Sequence, residues 1–426
     1  MVKYSCERCG KEFSQKSHYD SHNRRKTPCD NNVDNIKGLV DNVVEEKLKE
    51  LNNEKVNVNT SVMNHKLKVV SLFTGIGGID MGFDGEVIVH KDSVENNEFI
   101  DKCYTIKDFV ILKKNNFECV FQNDILEGAK EVFGFNNDNS KYNTISIYKL
   151  ITENFIFPKS DIVIGGFPCQ DFSHAGKRKG FESNKAHDLK EKVVSTENSR
   201  GTLYKSFVEV VKRVKPKIFV AENVYGLITM KNEPIKQIME DFSEIGYDVD
   251  YQVIYCPEFG IPQTRKRVII MGISKERSLN INKEWNYITK NKTVCNIGKY
   301  FNHLKEPNMT EDISQMVYSK AKKLEKGQGQ TEVNLESFAP TMRAEHHGNI
   351  EFRRYKDSKI NTNEKKMDER RLTVREAGLI QTFPPDYVFS KNKNMTAYKY
   401  IGNAVPPLLG YLIADKVYEL CKTHFK

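Results

Sequence analysis

The stretch Ile162-Val163-Ile164-Gly165-Gly166-Phe167-Pro168-Cys169-Gln170 constrains this chain more than any other. Its apolar run reads as a short buried strand. Two glycines then let the backbone turn tightly, and Pro168 fixes the turn. Cys169 is thereby expected on a loop at the carboxyl end of a strand, where open α/β sheets bind their ligands. A cysteine taken alone is most often a buried packing residue. The Gly-Gly-Phe-Pro-Cys-Gln setting favours a nucleophile, and the other strand ends decide between the two.

Several further runs end in the same way. Lys68 to Phe73 leads into Thr74-Gly75-Ile76-Gly77-Gly78-Ile79, a strand, a glycine turn and a helix start. Such a turn brings backbone N–H groups close to a ligand, although alone it is equally an ordinary tight turn. Phe117 to Asn123 reads as a second strand ending in Asp124-Ile125, where the acid can hold ribose hydroxyls, cap the next helix, or both. The usual gap from turn to acid is about twenty residues. It is longer here, so residues 84–116 are expected to form an insertion. A helix over Leu203–Val214 precedes Pro216, and Lys217 to Val224 is another apolar strand, carrying Glu222. A carboxylate at that strand end shares the cleft with Cys169 and can act as an acid or accept hydrogen bonds. Gln263-Thr264-Arg265-Lys266-Arg267 then leads into a strand, and alternation in an extended segment puts Arg265 and Arg267 on one face. Between Cys169 and Leu203, Lys177, Arg178 and Lys179 lie among glycines as a cationic loop suited to closing on a phosphate backbone.

The N-terminus has a different chemistry. Cys6 and Cys9 form a knuckle that can place two thiolates on one ion, and Phe13, Tyr19, His22 and Cys29 follow. Up to His22 the spacing resembles a C2H2-type zinc finger. Lys26 stands where that family's last histidine could fall, so the expected ligands are Cys6, Cys9, His22 and Cys29, with His18 the competing fourth. So short a segment cannot fold on apolar burial alone, and zinc would supply the missing stability. Within residues 30–66, Ile36, Leu39, Val40, Val43, Val44, Leu48 and Leu51 recur at helical spacing between Asn-rich linkers. Nine cysteines in 426 residues argue for reduced thiols plus a metal site. No apolar run approaches the ~20 residues that span a membrane. The formal net charge of +9 permits a polyanionic partner.

Glycine turn, Pro-Cys-Gln, Glu222-Asn223-Val224 and Gln-x-Arg-x-Arg, in this order and each at a strand end, resemble the C5-cytosine DNA methyltransferases. Arg371 to Pro384 resembles the family's late helix, and Gly402-Asn403-Ala404-Val405-Pro406 its closing segment. The resemblance covers about residues 67–424. The family often has an acid after its third strand, and Thr144-Ile145-Ser146 offers none. The resemblance implies that Cys169 adds to C6 of cytosine, making C5 enamine-like. Glu222 would bind the N3 edge and supply a proton, while Arg265 and Arg267 would hold O2 and nearby backbone. S-adenosylmethionine, the implied donor, would lie along Phe73, Gly75, Gly77, Gly78 and Ile79, along Asp124-Ile125, and against Asn403-Ala404. The base must leave the duplex for this chemistry.

The expected architecture is therefore α/β: a Rossmann-like methyltransferase sheet with a smaller target-recognition domain and an N-terminal zinc finger. Its parts are a finger (1–32), an amphipathic helix and linker (33–66), a catalytic domain (67–274 and 369–426) and a recognition domain (275–368). Base-edge readers are expected among Arg343, His346, His347, Arg353 and Arg354. The implied partner is duplex DNA. A monomeric cytoplasmic enzyme of a bacterial or phage-infected cell is expected, linked in function to a cognate restriction endonuclease.

Overall fold

The computed structural model describes residues 4–9, 11–24, 65–168, 203–230, 233–277, 288–291, 294–319, 333–344, 352–353, 370–392 and 395–425. Cys29, the apolar stripe of 36–51, Cys169 with the cationic loop, His346, His347 and Arg354 lie outside the described residues. The chain divides into two units, Met1–Met63 and Asn64–Lys426.

The first unit is a small ββα element. Strands Tyr4–Ser5 (β1) and Glu12–Phe13 (β2) pair antiparallel and lead into helix Lys16–Asn23 (α1). Phe13 packs against Tyr19 and His22, with ring centroids 6.2 and 4.9 Å away. Only Cys6 and His22 are buried among its described residues, so apolar burial contributes little to its stability.

The second unit is built on a seven-stranded sheet of order β11-β12-β10-β9-β3-β7-β8. Its strands are Leu67–Leu72 (β3), Phe117–Asn123 (β7), Tyr142–Asn143 (β8), Ile162–Gly165 (β9), Ile218–Val224 (β10), Tyr247–Tyr255 (β11) and Lys266–Ser274 (β12). Strands β3, β7, β8, β9 and β10 run parallel, and β12 lies antiparallel between β10 and β11. The central strands are apolar on both faces because helices cover both. Helix Leu203–Val214 buries Leu203, Phe207, Val210 and Val211, a stripe at helical spacing. Helix Pro234–Glu244 adds Ile238 and Phe242, and Phe242 stacks on Phe219 at 4.1 Å. Helix Gly78–Asp84 packs on helix Pro407–His424 so closely that a β-carbon on Gly82 would lie 2.2 Å from the backbone of Gly410.

The insertion expected between the glycine turn and the second strand forms its own antiparallel sheet. Strands Ile88–His90 (β4), Ile100–Cys103 (β5) and Phe109–Leu112 (β6) have the order β4-β6-β5. Because this sheet stands apart, β3 still pairs with β7 from Leu67↔Phe117 to Leu72↔Asn123. The β7 acid therefore reaches the glycine turn despite the long intervening chain.

A second core unites later parts of the sequence. Cys295, Ile297, Tyr300, Val333 and Met342 pack with Leu372, Val374, Leu379, Phe383 and Ile401. Buried charges join the same segments. Arg370 donates to both carboxylate oxygens of Glu376 at 2.9 Å and to Glu306, and Arg375 Nε meets Asp312 at 2.6 Å. Thr373 and Glu376 close a reciprocal capping box at the start of helix Val374–Ile380. The described residues of 275–368 thus stand on the 370–401 segment.

Candidate active site

The glycine turn after β3 takes a conformation that few residues but glycine adopt. Gly75 and Gly77 have φ of +56° and +80°, and Phe73 also has positive φ, at 55°. Gly75 borders a cavity, and the position a β-carbon would take there is open. At Gly78 a β-carbon would lie 2.1 Å from the Val405 carbonyl oxygen, so the chain after Asn403 passes directly against the turn. Remote side chains hold it in place. Tyr142 donates to the Gly75 carbonyl at 2.8 Å, and Tyr387 donates to the Ile76 carbonyl at 2.6 Å.

Asp124 performs two roles at once. Its Oδ2 accepts from the Gly75 amide and its Oδ1 from the Leu126 amide, both at 3.0 Å. The carboxylate thereby ties the glycine turn to the segment entering helix Glu127–Gly134. Burial pushes its pKa up, and the amides of Leu126, Gly75 and Ile125 oppose the rise. Beyond β8, Thr144 donates to Glu127 at 2.6 Å. An acid from the preceding helix thus stands beside the position where the third strand carries none.

The cavity has a volume of about 240 Å³. Phe73, Gly75, Gly78, Ile79, Asp124, Ile125, Asn403 and Ala404 border it. Gly166, Phe167, Pro168, Glu222, Arg265 and Arg267 border the same cavity. Gly77 turns the chain behind this wall, where a β-carbon would collide with Phe133. Pro168, the last described residue before Cys169, reaches the cavity from β9. Asn223 fastens that segment by donating to the Phe167 carbonyl at 3.3 Å.

Glu222 and Arg267 meet on adjacent strands. Arg267 Nε lies 2.6 Å from Glu222 Oε1, with the two side chains only 11% and 10% exposed. Neither atom makes a hydrogen bond of normal geometry among the described residues. The pair is thus held by charge at low exposure and keeps hydrogen-bonding capacity for a group entering the cavity. Gly166 approaches Glu222 closely, since a β-carbon there would lie 3.3 Å from Oε2.

Arg265 borders the same cavity but is only 1% exposed. Its guanidinium donates to the carbonyls of Met342, Gly402 and Ala404 at 3.1–3.2 Å. It bolts the closing segment and the 339–344 segment to the wall that carries Arg267. Both arginines, expected on one face from alternation, border this cavity. Arg267 donates to the neighbouring Lys266 carbonyl, at 2.7 Å, whereas the carbonyls that Arg265 engages lie more than 70 residues away in sequence. Gln263 and Gln381 work alike: they bond to one another, and Gln381 donates to the Ile401 and Ala404 carbonyls. The sequence reading also left out Thr74, Asn123, Leu126, Lys399 and Tyr400, which border the cavity. The signal for the last two was their nearness to Gly402-Asn403.

In the N-terminal unit, the ligand atoms of Cys6, Cys9 and His22 lie within 4.8 Å of one another. Cys9 Sγ is 3.3 Å from His22 Nε2. His18, on the same helix, is exposed and outside this cluster.

The chain matches the C-5 cytosine-specific DNA methylases over residues 110–419. It belongs to this family. The Type II methyltransferase M.BsuRI of Bacillus subtilis is 28% identical, the alignment covering 92% of this chain and 89% of that one. M.BspRI of Lysinibacillus sphaericus, another Type II methyltransferase, is 30% identical over 85% of this chain and 84% of its own. Among solved structures, the Dnmt2 methyltransferase of S. pombe shares the fold, with a TM-score of 0.55 at 17% identity. That likeness covers 83% of this chain and 99% of the other. The α/β methyltransferase sheet expected from the sequence is therefore the fold of this C5-cytosine DNA methyltransferase. Among the described residues, no helix is long and apolar enough to cross a membrane.

Proposed function

We propose that this C5-cytosine DNA methyltransferase modifies cytosine within a short duplex sequence, as a monomer, and protects that sequence from a cognate restriction endonuclease. The Type II relatives, aligned over most of both chains, support the protective role. The observation that carries the site assignment is the Glu222–Arg267 pair, poised at 2.6 Å on the wall of the cavity that Pro168 also borders.

S-adenosylmethionine, the methyl donor of this family, supplies an electrophilic methyl group when bound. Its holders would be Phe73, the Gly75–Ile79 turn, Asp124, Ile125, Asn403 and Ala404. The open space at Gly75 and the carboxylate beside it suit a nucleoside. Cys169, the residue after Pro168, adds as thiolate to C6 of the flipped cytosine. Glu222 holds the N3 edge and delivers a proton to N3, so that negative charge does not accumulate on the ring. Arg267 holds Glu222 in place and offers its remaining donors to O2. Arg265 acts through the carbonyls it holds, keeping Asn403-Ala404 against the cavity. C5 then accepts the methyl group. Its proton is lost to solvent, and elimination of the Cys169 thiolate, with return of the N3 proton to Glu222, restores the aromatic ring.

The region 275–368 is proposed to meet the duplex, with Arg343 beside Gly402, which borders the cavity. There Gly402 approaches the Arg343 backbone so closely that a β-carbon would lie 2.3 Å away. The N-terminal unit is proposed to bind one zinc through Cys6, Cys9, His22 and Cys29. The metal would fold the segment and present Lys11, Lys16 and Arg24 to phosphates.

Bisulfite sequencing of DNA from cells expressing the protein tests the reading. One short motif should be protected in the wild type and unprotected with Glu222→Gln. S-adenosylmethionine affinity of that variant should stay within about twofold, because only the proton source is lost. Full methylation by Glu222→Gln, or collapse of donor binding, would remove Glu222 from the proposed role.

A further inference from the structure

The 85–115 insertion touches two parts of the molecule. On one side it is braced on the catalytic body: Tyr104 donates to Asp386 at 2.8 Å, and Phe99 packs edge-on against Tyr411 at 5.6 Å. On the other it meets the first described segments of the 275–368 region. Ser93 Oγ and Tyr300 Oη are hydrogen-bonded at 2.8 Å, both buried. Lys299 Nζ lies 2.6 Å from Asp92, and Asn291 donates to the Asp92 carbonyl at 3.3 Å. Phe109 packs edge-to-face on Tyr300 at 5.6 Å and on His303 at 5.1 Å. The loop before Arg265 joins the same contact: a β-carbon on Gly260 would lie 2.0 Å from the Ser93 carbonyl oxygen.

We propose that this inserted sheet is the seat that fixes the DNA-meeting region relative to the cavity, with Asp92, Ser93, Lys299 and Tyr300 as positioning residues for the duplex. The proposal rests on the reading of 275–368 as the DNA-meeting region. The strength of the contacts divides them by role. The ring packing and the buried Ser93–Tyr300 bond hold the surfaces together. The Asp92–Lys299 pair is about one-third exposed, and such pairs contribute little to stability. Its geometry therefore sets register rather than holding the fold, and reversing it leaves a folded protein. A small tilt of this region would misplace the duplex over a cavity whose own walls are unchanged. The loss then falls on the use of DNA rather than on chemistry with the base in place.

The test is a charge swap in the full-length protein: Asp92→Lys, Lys299→Asp and the double variant, assayed on an unmethylated duplex carrying the target motif. Each single variant should raise KM for DNA about tenfold, with kcat and KM for S-adenosylmethionine within about twofold. The double variant should return DNA KM to within about threefold of wild type. Asp92→Lys is the discriminating member, because it adds positive charge. Simple attraction to phosphates would lower its DNA KM, and the seat raises it. Ser93→Ala and Tyr300→Phe should each raise DNA KM without changing kcat, which checks the seat at an uncharged contact. Single effects on DNA KM that add in the double variant would overturn the seat while leaving the DNA-meeting region intact. Thermal stabilities that cancel in the double variant, with DNA KM unchanged throughout, would instead overturn both seat and reading.

Discussion

Replacing Asp80 by Asn should stabilise this enzyme more as the pH rises. Asp80 sits in helix Gly78–Asp84, directly after the glycine turn, and is 8% exposed. Its Oδ2 makes no hydrogen bond of normal geometry among the described residues, and neither does Oε1 of the buried Gln122. Cys119 Sγ approaches Oδ1 at 3.8 Å. Burial raises the carboxyl pKa from 3.8 to about 7, against weaker opposing effects of Ser71, Cys119 and Gln122. The folded state thus holds a proton that the unfolded chain has already released. The stability linked to this proton is fully present below about pH 4 and is lost as pH rises through about 7. The gap between the two pKa values corresponds to about 4 kcal/mol at pH 8. Asn is neutral throughout, and its amide can donate toward Gln122. The advantage of Asp80→Asn over wild type should therefore grow by about 2–3 kcal/mol between pH 5 and pH 8 and then level off. Urea unfolding of both proteins across that range measures it. His90 and His303 titrate in both proteins and cancel in the difference. An advantage independent of pH, or one that shrinks as pH rises, would refute the assignment of a proton to Asp80.

Further outcomes follow from other contacts. Tyr142→Phe removes the hydroxyl that holds the Gly75 carbonyl. It should cost about 1 kcal/mol of donor binding, a rise of about fivefold in the Kd for S-adenosylmethionine by calorimetry, with DNA binding unchanged. The full-length protein should carry one zinc by elemental analysis, lost on Cys9→Ser and retained on His18→Ala, because His18 stands outside the Cys6–Cys9–His22 cluster. A chain starting at Asn64 should methylate the same motif but bind DNA more weakly, with a shallower dependence on salt.

How far the sequence could be read depended on burial. Strands β7, β9 and β10 were legible because apolar runs ending in glycine or an acid have few other uses in an α/β chain. Residues 84–116 were recognisable only as an interruption. Strand β5 carries Asp101 and Lys102 on exposed positions, so its pattern resembles a loop, and pairing with β6 is what makes it a strand. The part of the cavity lined by Phe73, Gly75, Gly78 and Asp124 was readable from the glycine turn and the acid after β7. The bond between Asp124 and Gly75 was not, because it spans 49 residues. The two arginines of the Gln-x-Arg-x-Arg segment have the same local pattern and different partners: carbonyls remote in sequence for Arg265, and the Glu222 carboxylate with the adjacent Lys266 carbonyl for Arg267. Only the fold assigns one to holding the closing segment and the other to the acid.

The central claim is covalent addition of Cys169 to a cytosine held by Glu222 and Arg267. The most direct measurement uses a duplex carrying the methylated motif with 5-fluorocytosine at the target position, incubated with the enzyme and S-adenosylmethionine. Fluorine at C5 cannot leave as a proton, so elimination is blocked and the thioether persists. Mass spectrometry of the digested adduct should find the base, methylated at C5, on the peptide containing Cys169, and Cys169→Ser should give no adduct. An adduct on another cysteine, or methyl transfer that proceeds in Cys169→Ser, would contradict the account.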